Sequence, residues 1–305
     1  MNAENTYKAH FSLALATMIF GANYWIAKGL MPDFVSPQQL VLLRVVGACF
    51  LYWALGLAGP GERVKKNDLI RMALAALFGI TLNQLLFFIG LNLSTPVDVA
   101  IIHVSNPIFV LIIAALMIKE RISTFKVAGI LLGAGGAVVL ITYRGDLSFN
   151  SDTFTGNLMA VLNTLAYAIY LVIIKPLMNK YKSVTIMKWV FVFGSLFTIP
   201  VTINSAIGIS FDGFTSYTWF SLLFVIVATT FFAYLFTIYA LKFVEASVVS
   251  YYIYLQPIIA TLISFWLGIQ LLTWQHGLAA AMIFTGVYLV SKKIRIKPNI
   301  ESNFH

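Results

Sequence analysis

Residues 69–92 read LIRMALAALFGITLNQLLFFIGLN, and Arg71 is the only charged residue in this stretch. A helix needs about 20 mostly apolar residues, at a rise of about 1.5 Å each, to cross the hydrocarbon core of a bilayer. The stretch therefore predicts a transmembrane helix. Two polar residues, Asn83 and Gln84, fall inside it, and polar side chains at membrane depth usually face a bundle interior or a cavity.

Other stretches of the chain have the same apolar character and a similar length. The ten predicted spans are residues 10–30, 37–58, 69–92, 97–118, 124–142, 155–176, 184–206, 216–241, 246–268 and 273–291. The first reaches spanning length through Tyr24 and Trp25, which predicts a retained helix and not a cleaved signal peptide. Because the connections are short, we predict an all-α integral membrane bundle with ten transmembrane helices and no soluble domain between them.

Composition favours the same class. Hydrophobic residues make up 60% of the chain and charged residues 10%, against about 25% charged in ordinary soluble domains. A soluble fold of this composition would expose large apolar patches. The net charge of +9 comes from short basic clusters between spans, so nucleic acid is not a predicted partner. Cys49 is the only cysteine, which excludes an intrachain disulfide.

The basic residues predict the orientation. When the connections are assigned alternately to two sides, all but three of the 20 lysines and arginines fall on the side of the N-terminus. The exceptions are Lys28, Arg44 and Arg144. Because positively charged loops stay in the cytoplasm, we predict a multi-pass protein of the cell (inner or plasma) membrane with both termini cytoplasmic.

An internal repeat relates the two halves of the chain. A shift of 150 residues pairs Leu91 with Leu241, Val99 with Val249, Asn106-Pro107 with Gln256-Pro257, and Gly136 with Gly286. A shift of 147 pairs the first spans of the two halves and places Lys28 on Lys175. With five spans each, residues 1–145 and 146–305 must insert in opposite directions. Inverted repeats of this kind are typical of transporters that bind their solute near the midplane and work by alternating access.

Several motifs resemble the drug/metabolite transporter superfamily, specifically its EamA-type ten-helix members. They are Phe20-Gly21-Ala22, Arg44, Asn106-Pro107 and Lys119-Glu120-Arg121-Ile122-Ser123. The second half departs from the pattern, because Gln270-Leu271-Leu272-Thr273 has glutamine where an acid is common. The resemblance implies transport, often outward, of amino acids, sugars, nucleobases or related metabolites. It also implies that the fifth and tenth helices pack at the periphery.

Among the polar residues inside spans, Arg44 has the highest free energy of insertion into the bilayer. An arginine near a helix centre costs about 3 kcal/mol to insert. Two interpretations stay open: its side chain extends outward or bridges backbone carbonyls, or it faces a solute that carries a carboxylate. His103 and Asn106 share one helical face beside Pro107. His103 either bonds a neighbouring helix or responds to protons, and in the second case His103→Gln should abolish the pH dependence of uptake.

Amides and tyrosines in other spans complete the predicted solute site. Asn163, Tyr167 and Tyr170 follow a spacing of i, i+4 and i+7, and Tyr252 lies one turn before Gln256. Tyrosines also populate membrane interfaces, so that role stays open for them. Tyrosine faces and amides together suit an amphipathic organic solute. The predicted solute-binding residues are Asn23, Arg44, Asn83, Gln84, His103, Asn106, Tyr167, Tyr170, Tyr252 and Gln256.

The sequence thus predicts a secondary transporter, an exporter of a small amphipathic metabolite such as an amino acid. The alternatives are a membrane-embedded enzyme and a channel, but no paired-acid, metal-cluster or filter motif is visible. No cofactor is predicted. The predicted partners are a small-molecule solute and the lipid bilayer, with a homodimer left open.

Overall fold

The computed structural model describes residues 3–57, 61–94, 99, 102–103, 105–120, 122–142, 151–266 and 274–291. These residues form helices joined by short turns, and no strand is found among them. The predicted division between residues 145 and 146, Arg144, Gln270 and the basic tail from Lys292 lie outside the described residues.

We label the helices α1 to α10 in chain order. Their bounds are α1 Ala3–Lys28, α2 Pro37–Leu57, α3 Lys66–Leu93, α4 Asn106–Ile118, α5 Thr124–Thr142, α6 Ser151–Ile174, α7 Ser183–Ala206, α8 Ser216–Leu241, α9 Ala246–Tyr251 and Leu255–Trp266 joined by the 3₁₀ turn Tyr252–Tyr254, and α10 Trp274–Ser291. Each helix overlaps a predicted span. Helix α1 begins seven residues before its predicted start at residue 10, and α4 as described begins nine residues after its predicted start at residue 97.

Within the described part of the chain, five helices are long and apolar enough to cross a membrane. They include α2, α3, α7 and α8, and α6 together with the 3₁₀ turn that follows it. Large apolar side chains also point away from the protein, as in Leu116 and Trp266, which are 78% and 87% exposed. The helical fold and its apolar surface identify a multi-pass membrane protein.

Two helices widen into π-helix at corresponding places. In α3 the π-helical segment is Leu77–Leu82, and in α8 it is Phe224–Phe232. A shift of 150 residues places the first segment inside the second. Such π-helical turns often occur at functional sites. The two segments therefore mark α3 and α8 as helices that shape the interior.

The same correspondence extends to two lysines. Lys28 Nζ donates to the carbonyl of Leu91, 3.1 Å away, in the last turn of α3. Lys175 Nζ donates to the carbonyl of Leu241, the last residue of α8. Both bonds place a cation at the C-terminal carbonyls of a helix, where unsatisfied acceptors and the helix dipole favour it. These are the lysines and leucines that the sequence repeat pairs.

Helices α5 and α10 pack closely against each other away from the interior. A Cβ on Gly129 would lie 2.8 Å from the carbonyl oxygen of Gly286, and one on Gly286 would lie 2.7 Å from that of Gly129. Small residues allow such close backbone approach between membrane helices. Gly133 in α5 leaves room for the Tyr251 hydroxyl.

Candidate functional site

A cavity of about 820 Å³, part of it open to solvent, lies at the centre of the bundle. Its described lining residues come from α1, α2, α3, α6, α8 and α9, from α4 and from the residues just before α4. None of the described residues of α5, α7 or α10 lines it.

Eight of the ten predicted solute-binding residues line this cavity. They are Asn23, Arg44, Asn83, Gln84, His103, Asn106, Tyr167 and Gln256. They come from helices far apart in the chain, so the fold brings together polar groups that the sequence showed only as isolated interruptions of apolar spans.

Tyr170 and Tyr252 lie outside the lining. The Tyr170 ring fills the space above Gly79, and its hydroxyl lies 4.0 Å from Met187 Sδ. Tyr170 is three residues after Tyr167 in α6, and its side chain points to the part of that helix which packs against α3 and α7. The Tyr252 hydroxyl instead lies 2.7 Å from Nδ1 of His10, so it joins α9 to α1.

Arg44 is the cation of the cavity. It is 3% exposed, and its Nε donates to Thr230 Oγ1 at 2.8 Å. Its guanidinium carbon lies 4.7 Å from the centre of the Phe88 ring, a cation–π contact. No carboxylate of the described residues pairs with it, and none is among the described lining residues.

Buried acceptors without a partner line the same cavity. Asn23 Oδ1, Gln84 Oε1, Asn106 Oδ1 and Thr229 Oγ1 have no hydrogen-bond partner among the described residues. The orientation of the Asn106 amide follows from its other atom, because Nδ2 donates to the carbonyl of Thr164 at 3.0 Å. Buried polar atoms are normally satisfied, and these oxygens can accept hydrogen bonds from a ligand that donates them.

His103 sits in a chain of hydrogen bonds that joins four helical segments. Its Nε2 lies 2.9 Å from Asn163 Oδ1, and its Nδ1 lies 2.6 Å from the Tyr24 hydroxyl. Asn163 Nδ2 donates to the carbonyl of Asn83 at 2.6 Å, which turns Oδ1 towards the histidine. An amide oxygen can only accept, so Nε2 carries a proton, and in the neutral imidazole Nδ1 then accepts from the Tyr24 hydroxyl. This pattern fits a neutral imidazole that stacks on Phe87.

A family comparison agrees with this arrangement. The model of the EamA-like transporter family matches residues 8–142 and again residues 154–292. The chain belongs to the EamA-like transporter family. The two matches together cover most of the chain and every helix that lines the cavity.

Relatives of this EamA-family protein include further transporters. An uncharacterized transporter from Archaeoglobus fulgidus is 26% identical over 292 residues, which covers 94% of this chain and 98% of the relative. The uncharacterized transporter YyaM from Bacillus subtilis is 25% identical over 257 residues, covering 80% and 84%. A solved crystal structure with 18% identity superposes with a TM-score of 0.76, covers 95% of this chain and 97% of its own, and shares the fold.

Aromatic residues are a large share of the cavity lining that the sequence of this EamA-family protein did not predict. Phe20, Tyr24, Phe87, Phe88 and Tyr234 all line it. The sequence repeat gave a signal for Tyr234, which lies 150 residues after Gln84. In the structure the two side chains are hydrogen-bonded at 3.3 Å. The Tyr24 signal was weaker, because only its spacing of four residues from Phe20 puts the two on one face.

Charged residues cluster away from the cavity at the predicted cytoplasmic ends of the helices. Lys180 Nζ lies 2.8 Å from Asp68 Oδ1. Lys126 Nζ lies 3.1 Å from Glu120 Oε1 and 2.6 Å from Glu245 Oε2. The structure thus brings the two carboxylates Glu120 and Glu245 to one lysine.

Proposed function

We propose that this EamA-family protein is a secondary transporter that exports a small amphipathic metabolite, such as an amino acid, by alternating access. The observation that carries the proposal is that, in the described part of the chain, the central cavity contains both hydrogen-bond donors and hydrogen-bond acceptors without partners. Among the described residues, no carboxylate meets the hydrogen-bond donors of Arg44, and no donor meets the amide oxygens of Asn23, Gln84 and Asn106. A solute with both an anionic group and donor groups would satisfy both sets.

The cavity wall supports an amphipathic solute with an apolar part. Aromatic rings from α1, α3 and α8 surround the polar groups, and Tyr24 and Phe87 meet edge to face at 5.6 Å. Rings of this kind bury apolar surface and stack on flat groups. A carboxylate on Arg44, an ammonium group on the amide oxygens and a side chain against the rings together describe an amino acid.

Several features support two inverted halves that divide near residue 145. The family model matches twice, once in each half. The π-helical segments of α3 and α8 are 150 residues apart, and the equivalent lysines Lys28 and Lys175 bond equivalent helix ends. Two similar units that insert in opposite directions can exchange conformations, and this exchange gives alternating access.

The ion pairs at the predicted cytoplasmic end support a conformation closed on that side. Asp68 belongs to the first half and Lys180 to the second, and Lys126 and Glu245 are divided in the same way. The sequence carries no ATP-binding motif, so the energy for export would come from the solute gradient or from a coupled ion. In this conformation the solute would reach Arg44 from the outer side.

A ligand screen followed by a flux assay tests the proposal. Amino acids, nucleobases, sugars and organic cations are each added to the purified protein in detergent, and the melting temperature is measured. A ligand that binds the folded state raises that temperature. We expect amino acids with bulky apolar side chains to raise it, and we expect the same compounds to cross protein-containing liposomes but not empty ones.

Matched variants connect flux with the cavity. Asn106→Ala and Gln256→Ala should lower flux, because both side chains line the cavity. Asn204→Ala is the control, since Asn204 is exposed on α7 and lies outside the lining. Binding without flux would contradict the transport proposal, and stabilisation by organic cations alone would contradict the chosen solute class.

A further inference from the structure

We propose that Thr230 is a positioning residue that sets the preference of the cavity for carboxylate-bearing solutes by orienting Arg44. This inference rests on the proposed function and adds a determinant of its specificity. It begins from the fact that the charged group of the cavity is on α2, whereas the residue that fixes it is on α8.

The contacts of Arg44 leave the two terminal amino groups of its guanidinium directed at the cavity. Its Nε–H is taken by Thr230 Oγ1 at 2.8 Å, and one face of the guanidinium lies over the Phe88 ring. No hydrogen bond from the two terminal amino groups to the rest of the described chain is found, and Arg44 lines the cavity. Arginine binds a carboxylate best when two parallel N–H groups meet both oxygens. A guanidinium fixed at Nε and at one face presents its remaining N–H groups in one direction.

The π-helical segment of α8 explains why Thr230 accepts from Arg44. The Thr230 hydroxyl donates to the carbonyl of Val225, five residues earlier, at 2.6 Å. In an ordinary turn a threonine bonds the carbonyl four residues earlier, as Thr237 does with Ala233 in the same helix. A hydroxyl has one proton and two lone pairs. Once its proton is directed to Val225, only acceptor capacity remains for Arg44.

A second bond from α2 holds the same segment. The Tyr52 hydroxyl donates to the carbonyl of Phe231 at 2.6 Å, and Tyr52 is fully buried. Arg44 and Tyr52 are eight residues apart on α2, so they lie on one face about two turns apart. The helix that carries the arginine is thus held to the segment that orients the arginine. Thr230 itself is fully buried and is not one of the described lining residues, so its effect on a solute passes through Arg44.

Three small probes separate orientation of Arg44 from general stability. They are L-phenylalanine, 3-phenylpropionate, which has the carboxylate but no amine, and 2-phenylethylamine, which has the amine but no carboxylate. Binding of each is measured by calorimetry on wild type, Thr230→Val and Thr230→Ser. A hydrogen bond to a charged group accounts for about a tenfold change in affinity or more. We expect Thr230→Val to weaken both carboxylates about tenfold and to leave 2-phenylethylamine unchanged, and we expect Thr230→Ser to restore wild-type values.

Thr202→Val provides the matched control. Thr202 is buried on α7, its hydroxyl bonds the carbonyl of Thr198 at 2.8 Å, and it lies outside the cavity lining. This variant loses the same kind of group without touching Arg44, so all three affinities should stay at wild-type values. If Thr230→Val does not fold, Thr230→Ala serves in its place, because it removes the hydroxyl without putting a methyl group in the position next to Arg44.

The outcomes distinguish the two proposals. Equal preference for carboxylates in wild type and in Thr230→Val would overturn the positioning role and leave the transport proposal standing. Equal loss of all three probes in Thr230→Val would also overturn it, because that pattern reports damage to the whole cavity. Flux of another solute, with no wild-type preference for carboxylates, would overturn the positioning role while supporting transport. Absence of flux for every solute would overturn the transport proposal itself.

Discussion

At the scale of single residues, the cavity shows how a membrane protein holds polar groups at modest cost. The sequence offered two interpretations of Arg44, an outward or carbonyl-bridging side chain and a solute contact. The structure buries Arg44 and bonds it to a threonine hydroxyl rather than to a backbone carbonyl. The two terminal amino groups of the guanidinium remain directed at the cavity. Polar groups at membrane depth are costly, so those that stay unmatched are candidates for function.

His103 gives a prediction at this scale. Its neutral form already satisfies Asn163 and Tyr24, and no carboxylate lies among the described lining residues to stabilise an added proton. We therefore expect His103→Gln to keep the wild-type pH profile of flux between about pH 6 and 8. We expect His103→Leu to lower the free energy of unfolding by about 1–3 kcal/mol, because two buried partners lose a bond.

Flux in liposomes at several pH values and thermal melting of both variants check this prediction. Asn204→Ala again serves as the control. A flat pH profile in His103→Gln beside a steep one in wild type would make His103 the proton-responsive group and reject the structural interpretation.

The predictability of the site also differs from residue to residue. Asn23, Asn83 and Gln84 could be predicted because an amide in an apolar span has few explanations. Tyr24 and Phe87 could not, because an aromatic side chain suits lipid, core and cavity equally well. Tyr170 was assigned to the site because it continues a helical stripe, yet tight packing at Gly79 occupies that direction.

At the scale of helices, sequence and structure agree where the physics is simple. The length of an apolar stretch determined where the helices would be found, and the observed bounds lie within a few residues of the predicted ones except at the starts of α1 and α4. The π-helical segments Leu77–Leu82 and Phe224–Phe232 had no sequence signal, because their composition is that of any apolar helix. Contacts from other helices stabilise them, as when Tyr52 bonds the carbonyl of Phe231.

Close packing of α5 against α10 gives a prediction at this scale. A Cβ on Gly286 would overlap the Tyr251 hydroxyl and lie 2.7 Å from a backbone oxygen of α5. We expect Gly286→Ala to destabilise the protein by about 1–3 kcal/mol, as overpacking of a filled interior does. Gly277→Ala in the same helix is the matched control, because a Cβ there meets nothing within 4 Å. That variant should keep or raise the melting temperature, since alanine favours helix over glycine by about 1 kcal/mol.

Thermal melting in detergent, with both variants measured under one condition, decides the matter. Equal melting temperatures for Gly286→Ala and wild type would mean that α5 and α10 can separate without cost, and the tight packing described above would be wrong.

At the scale of the whole molecule, charge is distributed asymmetrically between the two ends. The described ion pairs all lie at the predicted cytoplasmic end, and those that join the halves use Asp68 with Lys180 and Lys126 with Glu245. At the other end the described bonds between halves are neutral, such as Ser94 to Asn157 at 2.6 Å and Gln39 to the carbonyl of Ser205 at 2.9 Å. This asymmetry would favour the conformation that is closed to the cytoplasm.

Removal of these ion pairs should therefore shift the conformational equilibrium. Asp68 accepts from Lys180 and from the Tyr181 hydroxyl, 2.9 Å away, and Lys180 is about half exposed. Because solvent screens such a pair, we assign about 1 kcal/mol to it, which corresponds to about a fivefold change in an equilibrium constant.

A single reporter cysteine measures this change: Val249→Cys in the cavity wall, introduced into a Cys49→Ser background. In that background we expect Asp68→Asn to raise alkylation of the introduced cysteine from the cytoplasmic side about fivefold. Glu4→Gln is the control, because its pair with Lys8 is exposed and lies within one helix. Faster labelling from the outer side instead would reverse the proposed orientation, and equal labelling in Asp68→Asn and Glu4→Gln would show that this pair does not hold the halves together.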